Sequence, residues 1–129
     1  KPTDWMVHML GQAVAAYTDA THGHTLSAVS GAYYRLLIER SEDAAKKFRR
    51  LATSVWDIVP AGKTDQEIAS EGLARMEDWM RELGLAMDIT ACGADPSQLE
   101  GMADACPINE TGYVVLTRED VIDVLRQSL

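Results

Sequence analysis

No stretch of this chain approaches the roughly 20 consecutive apolar residues that a helix needs to cross a bilayer, and no secretory signal peptide is visible at its start. Cysteine is scarce. Cys92 and Cys106 are too few for a disulfide framework, and neither has the Cys-x-x-Cys neighbour of a zinc ribbon or redox site. They read as reduced, buried thiols of a cytoplasmic protein. Positive charge is short as well: 12 Lys and Arg face 20 Asp and Glu, for a formal net charge of −8. That balance argues against nucleic acid or an anionic membrane as the main partner. Aromatic residues make up only 6% of the chain, while Ala, Leu, Met, Glu and Arg are plentiful, a mix that favours helix over strand. Gly-x-Gly-x-x-Gly, Walker-type, Gly-x-Ser-x-Gly and His-Glu-x-x-His patterns are all missing. If the protein does redox chemistry, the nucleotide-binding half lies elsewhere.

What is present is helical. The 129 residues suffice for one domain with a modest core. Trp5, Met9, Leu10, Val14 and Tyr17 mark the inward stripe of a first helix, from near Asp4 to about Tyr17. Gly11 inside it either admits a close neighbour or is merely tolerated. A second helix over 23–40 carries Leu26, Val29, Tyr33, Leu36 and Leu37 on one face. Ser41 caps a third, running to about Trp56, with Ala44, Phe48, Leu51, Ala52 and Val55 inward. After the linker Pro60-Ala61-Gly62, Thr64 and Glu67 form a capping box for a fourth helix. Its apolar face runs from Ile68 through Trp79 to Leu83, and Gly84 ends it. Asp95 and Pro96 open a short fifth helix that stops before Pro107. Val114, Val115 and Leu116 could form an isolated short strand. Thr117 caps the last helix. The sum is an all-α bundle of about six helices joined by short connections.

Two histidines stand out. His8 and His22 are fourteen positions apart, about 21 Å along a straight helix. To share one metal ion each must place a nitrogen about 2.0–2.1 Å from it, so the chain must reverse between them. Thr18, Asp19 and Thr21 are good turn and cap residues, and Gly23 adds freedom. The spacing permits a shared ion; on spacing alone, capping or surface histidines are the plainer reading.

The residues around the pair carry more. Asp4-Trp5-Met6-Val7-His8-Met9-Leu10-Gly11, followed by His22-Gly23-His24-Thr25-Leu26, resembles the iron-containing (group III) alcohol dehydrogenases. The likeness is to their butanol-dehydrogenase and NADPH-dependent aldehyde-reductase branch. It continues, in the family's order, through Phe48-Arg49-Arg50-Leu51-Ala52-Thr53-Ser54-Val55-Trp56-Asp57-Ile58, Trp79-Met80-Arg81-Glu82-Leu83-Gly84-Leu85 and Leu116-Thr117-Arg118-Glu119-Asp120-Val121. In that family a nucleotide-binding α/β domain packs on a C-terminal all-α domain of the dehydroquinate synthase-like fold, and an Asp and three His hold a divalent metal in the cleft.

The resemblance implies that residues 1–129 are the metal-binding helical domain, with His8 and His22 as metal ligands. The Asp and the other His would lie upstream, as would the nucleotide-binding domain and the first helices. The chain opens on Lys1 with helical pattern almost at once, which fits the interior of a longer protein. The implied cofactors are a divalent metal, Fe²⁺ or Zn²⁺, and NAD(H) or NADP(H). The implied substrate is a primary alcohol or aldehyde, and a homodimer is compatible. Hydride transfer asks for an alcohol oxygen made alkoxide-like or a carbonyl made electrophilic, and a divalent Lewis acid does both. The 129 residues alone would be inactive. One departure matters: where many relatives carry a further His near the nicotinamide, this chain has Gln12. Gln12 keeps a polar contact with cofactor or substrate and removes a histidine proton relay there. His24 sits just past the second ligand, where relatives vary. Trp5, Met9 and Leu26 are core or an apolar substrate wall. The competing readings are a stand-alone helical interaction module without metal, and a metalloenzyme of the related dehydroquinate synthase or glycerol dehydrogenase type, which the Trp-x-x-His-x-Leu-Gly wording fits less well.

Overall fold

The computed structural model describes residues 3–129; Lys1 and Pro2, the first two positions of the expected 1–129 domain, lie outside the described residues. Six α-helices follow in order: α1 (Met6–Ala15), α2 (His22–Arg40), α3 (Glu42–Val55), α4 (Asp65–Glu82), α5 (Leu99–Ala105, preceded by a 3₁₀ turn over Pro96–Gln98) and α6 (Arg118–Gln127). There is no strand among the described residues. Val114–Leu116 finds no partner to pair with, and its Leu116 side chain is buried in the helical core instead.

The local stop and start signals work as their chemistry requires. Ser41 Oγ accepts the Ala44 N–H at the start of α3. At α4 the Thr64 hydroxyl accepts from Glu67 N at 3.2 Å, while the Glu67 carboxylate accepts from Thr64 N at 2.7 Å. Thr117 and Asp120 repeat that reciprocal box at α6. Gly84 ends α4 in the left-handed region, φ +75°, letting the Leu85 N–H return to the Met80 carbonyl.

Two clusters make the core. The larger joins Met6, Leu10 and Val14 of α1 to Val29 and Tyr33 of α2, and to Val121 and Leu125 of α6. The smaller lies where α2, α3 and α4 meet, at Ile38, Ala45, Ala69 and Leu73. Gly72 lets α3 and α4 touch: a Cβ there would lie 2.8 Å from Ala52 Cα. Gly11 does the same for α1 and α2, since its Cβ would lie 2.9 Å from Leu26 Cδ2 and 3.2 Å from Thr25 Oγ1.

The apolar stripes differ from expectation at helix ends. On α1 the buried set is Met6, Leu10, Ala13 and Val14, whereas Trp5 and Tyr17 are exposed. The helix ends at Ala15, two residues before the expected Tyr17, where the Tyr17 and Thr18 N–H groups turn back to Val14 and Ala15. Val55, Trp79 and Leu83 also lie exposed, although the Trp79 ring still meets that of Trp56, centroids 6.0 Å apart. Cys92 and Cys106 are free and buried; burial pushes the Cys106 thiol up to about 11 and, with Asp88 nearby, also raises Cys92.

Candidate metal centre

The reversal between α1 and α2 occupies residues 16–21. Thr18 Oγ1 donates to the Val14 carbonyl at 3.1 Å, folding the chain back over the end of α1. Thr21, in extended conformation at φ −65°, ψ 149°, starts α2. Its carbonyl accepts from the His24 and Thr25 N–H groups at 3.0 and 3.1 Å. His22 is therefore the first residue of α2, and His8 lies in the first turn of α1. Behind His22, the fully buried Thr25 sends its hydroxyl to the His22 carbonyl at 3.0 Å. Thr25 also borders Gly11, so the close α1–α2 approach and the seating of His22 depend on the same spot.

The two expected ligands come together. His22 Nε2 and His8 Nδ1 are 3.1 Å apart, with ring centroids at 4.8 Å and planes at 85°. In this state one ring N–H donates to the bare nitrogen of the other. The same separation suits a cation. Two nitrogens each about 2.0–2.1 Å from one ion lie about 2.8–3.4 Å apart at angles between octahedral and tetrahedral. The donor set thus fits a divalent ion in both distance and chemistry, since neutral imidazole binds first-row divalent metals. It is also incomplete: among the described residues no group of three or more His, Cys, Asp or Glu converges.

Of the other expected site residues, Gln12 lies exposed on α1, one turn beyond His8. His24 is exposed and contributes its carbonyl, which accepts from Ser27 Oγ at 2.9 Å. Met9 is half-buried against the core. Leu26 borders an open apolar groove of about 370 Å³ shared with Val7, Gly23, Tyr34, Met76 and Met80. Trp5 is outside the core and meets His8 edge to face, centroids 5.8 Å apart.

One residue near the pair was not read as functional from the sequence. The Asp4 carboxylate accepts from the Tyr33 hydroxyl at 2.8 Å and 3.0 Å, from Met6 N at 3.0 Å and from Tyr113 N at 3.3 Å. It thus ties the start of α1, one turn before His8, to α2 and to the loop ahead of α6. Burial, then the Asp4 hydrogen bond, raises Tyr33 above the ordinary tyrosine range. The hairpin register that sets Gly11 beside Leu26 also sets Asp4 beside Tyr33, and that register is the signal that could have found the pair.

Comparison with known proteins gives the chain's relatives. The family model described as "Fe-containing alcohol dehydrogenase family, C-terminal" matches residues 1–129. A protein of Bacillus subtilis (strain 168) described as probable NADH-dependent butanol dehydrogenase 1 is 33% identical over 128 residues, covering 98% of this chain and 32% of that protein. NADH-dependent butanol dehydrogenase A of Clostridium acetobutylicum is 26% identical over 132 residues, covering 99% of this chain and 33% of its own length. The chain thus spans about a third of the curated relatives it matches, 32–33% in these two. Among solved structures, NADH-dependent butanol dehydrogenase A of Thermotoga maritima superposes with a TM-score of 0.80 at 21% identity, covering 97% of this chain and 33% of that one. An archaeal halo-thermophilic alcohol dehydrogenase from a Red Sea brine pool gives 0.81 at 23%, covering 95% and 32%. At these identities the structural likeness concerns the fold.

Proposed function

This chain belongs to the Fe-containing alcohol dehydrogenase family, and from that membership we propose that residues 1–129 are the metal-binding helical part of an NAD(P)-dependent alcohol dehydrogenase or aldehyde reductase. In this reading His8 and His22 supply two of the ligands to a divalent cation, Fe²⁺ or Zn²⁺. The observation that carries it is the 3.1 Å approach of His8 Nδ1 to His22 Nε2, brought about by a six-residue reversal. The substrate class, a primary alcohol or its aldehyde, and the nicotinamide partner follow from the kinship with butanol dehydrogenases described as NADH-dependent. An upstream nucleotide-binding domain completes the enzyme, and the 129 residues alone are inactive. Two free, buried thiols fit work in the cytoplasm; among the described residues no helix is long and apolar enough to cross a membrane.

When bound, a divalent cation supplies Lewis acidity toward the substrate oxygen. The chain's own residues do the rest. His8 and His22, one from each of two helices, would hold the cation through ring nitrogens that lie 3.1 Å apart. Gly11 keeps those helices in contact, so the pair does not drift apart. Gln12, exposed one turn after His8, offers an amide that hydrogen-bonds the nicotinamide or the substrate. It neither gains nor releases a proton near neutral pH, so it orients its partner and relays nothing.

The test is made in the full-length polypeptide. His22→Ala is expected to lose bound metal and butyraldehyde reduction together. Retention of both refutes the ligand assignment.

A further inference from the structure

One aromatic side chain beside the histidines has no part in the core. Trp5 is 53% exposed, and the ring it meets is that of His8. It stands at the N-cap of α1, three residues before His8, the spacing at which side chains meet on one helix face. Its indole crosses the His8 ring at 78°, centroids 5.8 Å apart. The indole Nε1–H donates to Thr3 Oγ1 at 2.8 Å, a bond that uses its single polar group and pins the ring. On another side His8 meets His22 at 85°. His8 is therefore held between two rings, each nearly perpendicular to it.

A metal-bound histidine is ordinarily oriented by a hydrogen bond to its second ring nitrogen. His8 uses Nδ1 toward His22, and among the described residues no side chain or backbone group bonds its Nε2. Beside the His22 contact, the other aromatic ring packed against His8 is that of Trp5. We propose that Trp5 is a positioning residue of the metal centre: its edge-to-face contact holds the His8 imidazole with Nδ1 turned toward His22, and so strengthens cation binding. The inference rests on the reading of His8 and His22 as ligands.

The experiment is a Co²⁺ titration followed by visible absorption on the full-length polypeptide, comparing wild type, Trp5→Ala, Trp5→Phe and His22→Ala, with melting temperatures alongside. Trp5→Ala is expected to bind Co²⁺ about tenfold more weakly, the low end for groups that orient a ligand. Its melting temperature should stay within about 2 °C of wild type, because the side chain is half in water. Trp5→Phe keeps a ring against His8 and recovers most of the affinity. Wild-type affinity in Trp5→Ala overturns the proposal. So does a Phe variant as weak as Ala, or a loss that tracks a large fall in melting temperature. A wild-type protein that binds Co²⁺ no better than His22→Ala defeats the ligand reading itself, and the inference with it, and that result is distinct from the other three.

Discussion

Replacing Asp4 by alanine removes one carboxylate from three donors: the Tyr33 hydroxyl, the Met6 N–H that opens α1, and the Tyr113 N–H. The costs are unequal. Met6 N is at a helix start where water can replace the acceptor, and the 3.3 Å Tyr113 bond is long, so neither loss dominates. Tyr33 is only 1% exposed. Stripped of its charged acceptor, its hydroxyl faces the penalty of a buried unpaired donor, about 1–3 kcal/mol. A cavity of about 220 Å³ lined by Asp4, Tyr33 and Tyr113 adjoins the site; water entering it in the variant would offset part of that penalty, so the expectation for Asp4→Ala is about 2 kcal/mol. Tyr33→Phe keeps the packed ring and leaves Asp4 at the surface to be rehydrated, so it costs about 1 kcal/mol. Once Phe stands at 33, removing Asp4 strands nothing, and the double variant should fall short of the sum by about 1 kcal/mol. Urea unfolding followed by far-UV circular dichroism measures all four proteins, and a 2 kcal/mol loss is large against the roughly 5–15 kcal/mol of a domain this size. A coupling below about 0.5 kcal/mol would show that Asp4 and Tyr33 act independently and would refute this account of the α1–α2 junction.

Other perturbations follow from the same geometry. Gly72→Ala places a Cβ 2.8 Å from Ala52 Cα; backbone cannot step aside, so α3 and α4 must part at a cost of about 2–3 kcal/mol, which outweighs the ~1 kcal/mol gained in helix propensity. Calorimetry showing Gly72→Ala as stable as wild type would contradict that contact. Tyr33 has its folded-state value raised above the ordinary 10.0, by burial first and by Asp4 second. The neutral hydroxyl is the form the fold prefers, so this contribution is complete below pH 10 and is lost as pH rises beyond it. Melting temperature should fall from about pH 10 upward, and the fall should be shallower in Tyr33→Phe; parallel curves for the two proteins would reject the assignment.

How much could be read from the chain alone depended on distance along it. Thr64 with Glu67, Thr117 with Asp120, and Asp95 ahead of Pro96 act within four residues, and each cap lies where its local chemistry puts it. Periodicity located the helices and placed Leu10 and Val14 of α1 inward, but at its ends it took Trp5 and Tyr17 as buried where Met6 is the buried residue. Val55, Trp79 and Leu83 fit their stripes and still lie exposed; a pattern on one helix does not report what its neighbours cover. The histidine pair was legible as spacing and far more so as resemblance, while its 3.1 Å approach needed the hairpin to be built. Asp4 and Tyr33 were both singled out, one as a helix start and one as core, but 29 residues separate them and only the α1–α2 register joins them.

The short reversal over residues 16–21 has a thermodynamic consequence of its own. If His8 and His22 bind a cation as proposed, the hairpin would present a chelator whose ring is already closed. The two ring nitrogens already lie 3.1 Å apart, so no chain would have to be ordered to deliver the second once the first was engaged. The second nitrogen would act at a high local concentration set by the short connection. Ligands from elsewhere in a longer polypeptide would then complete a shell on a two-point mount, and the length of that reversal would set the effective concentration of its second point.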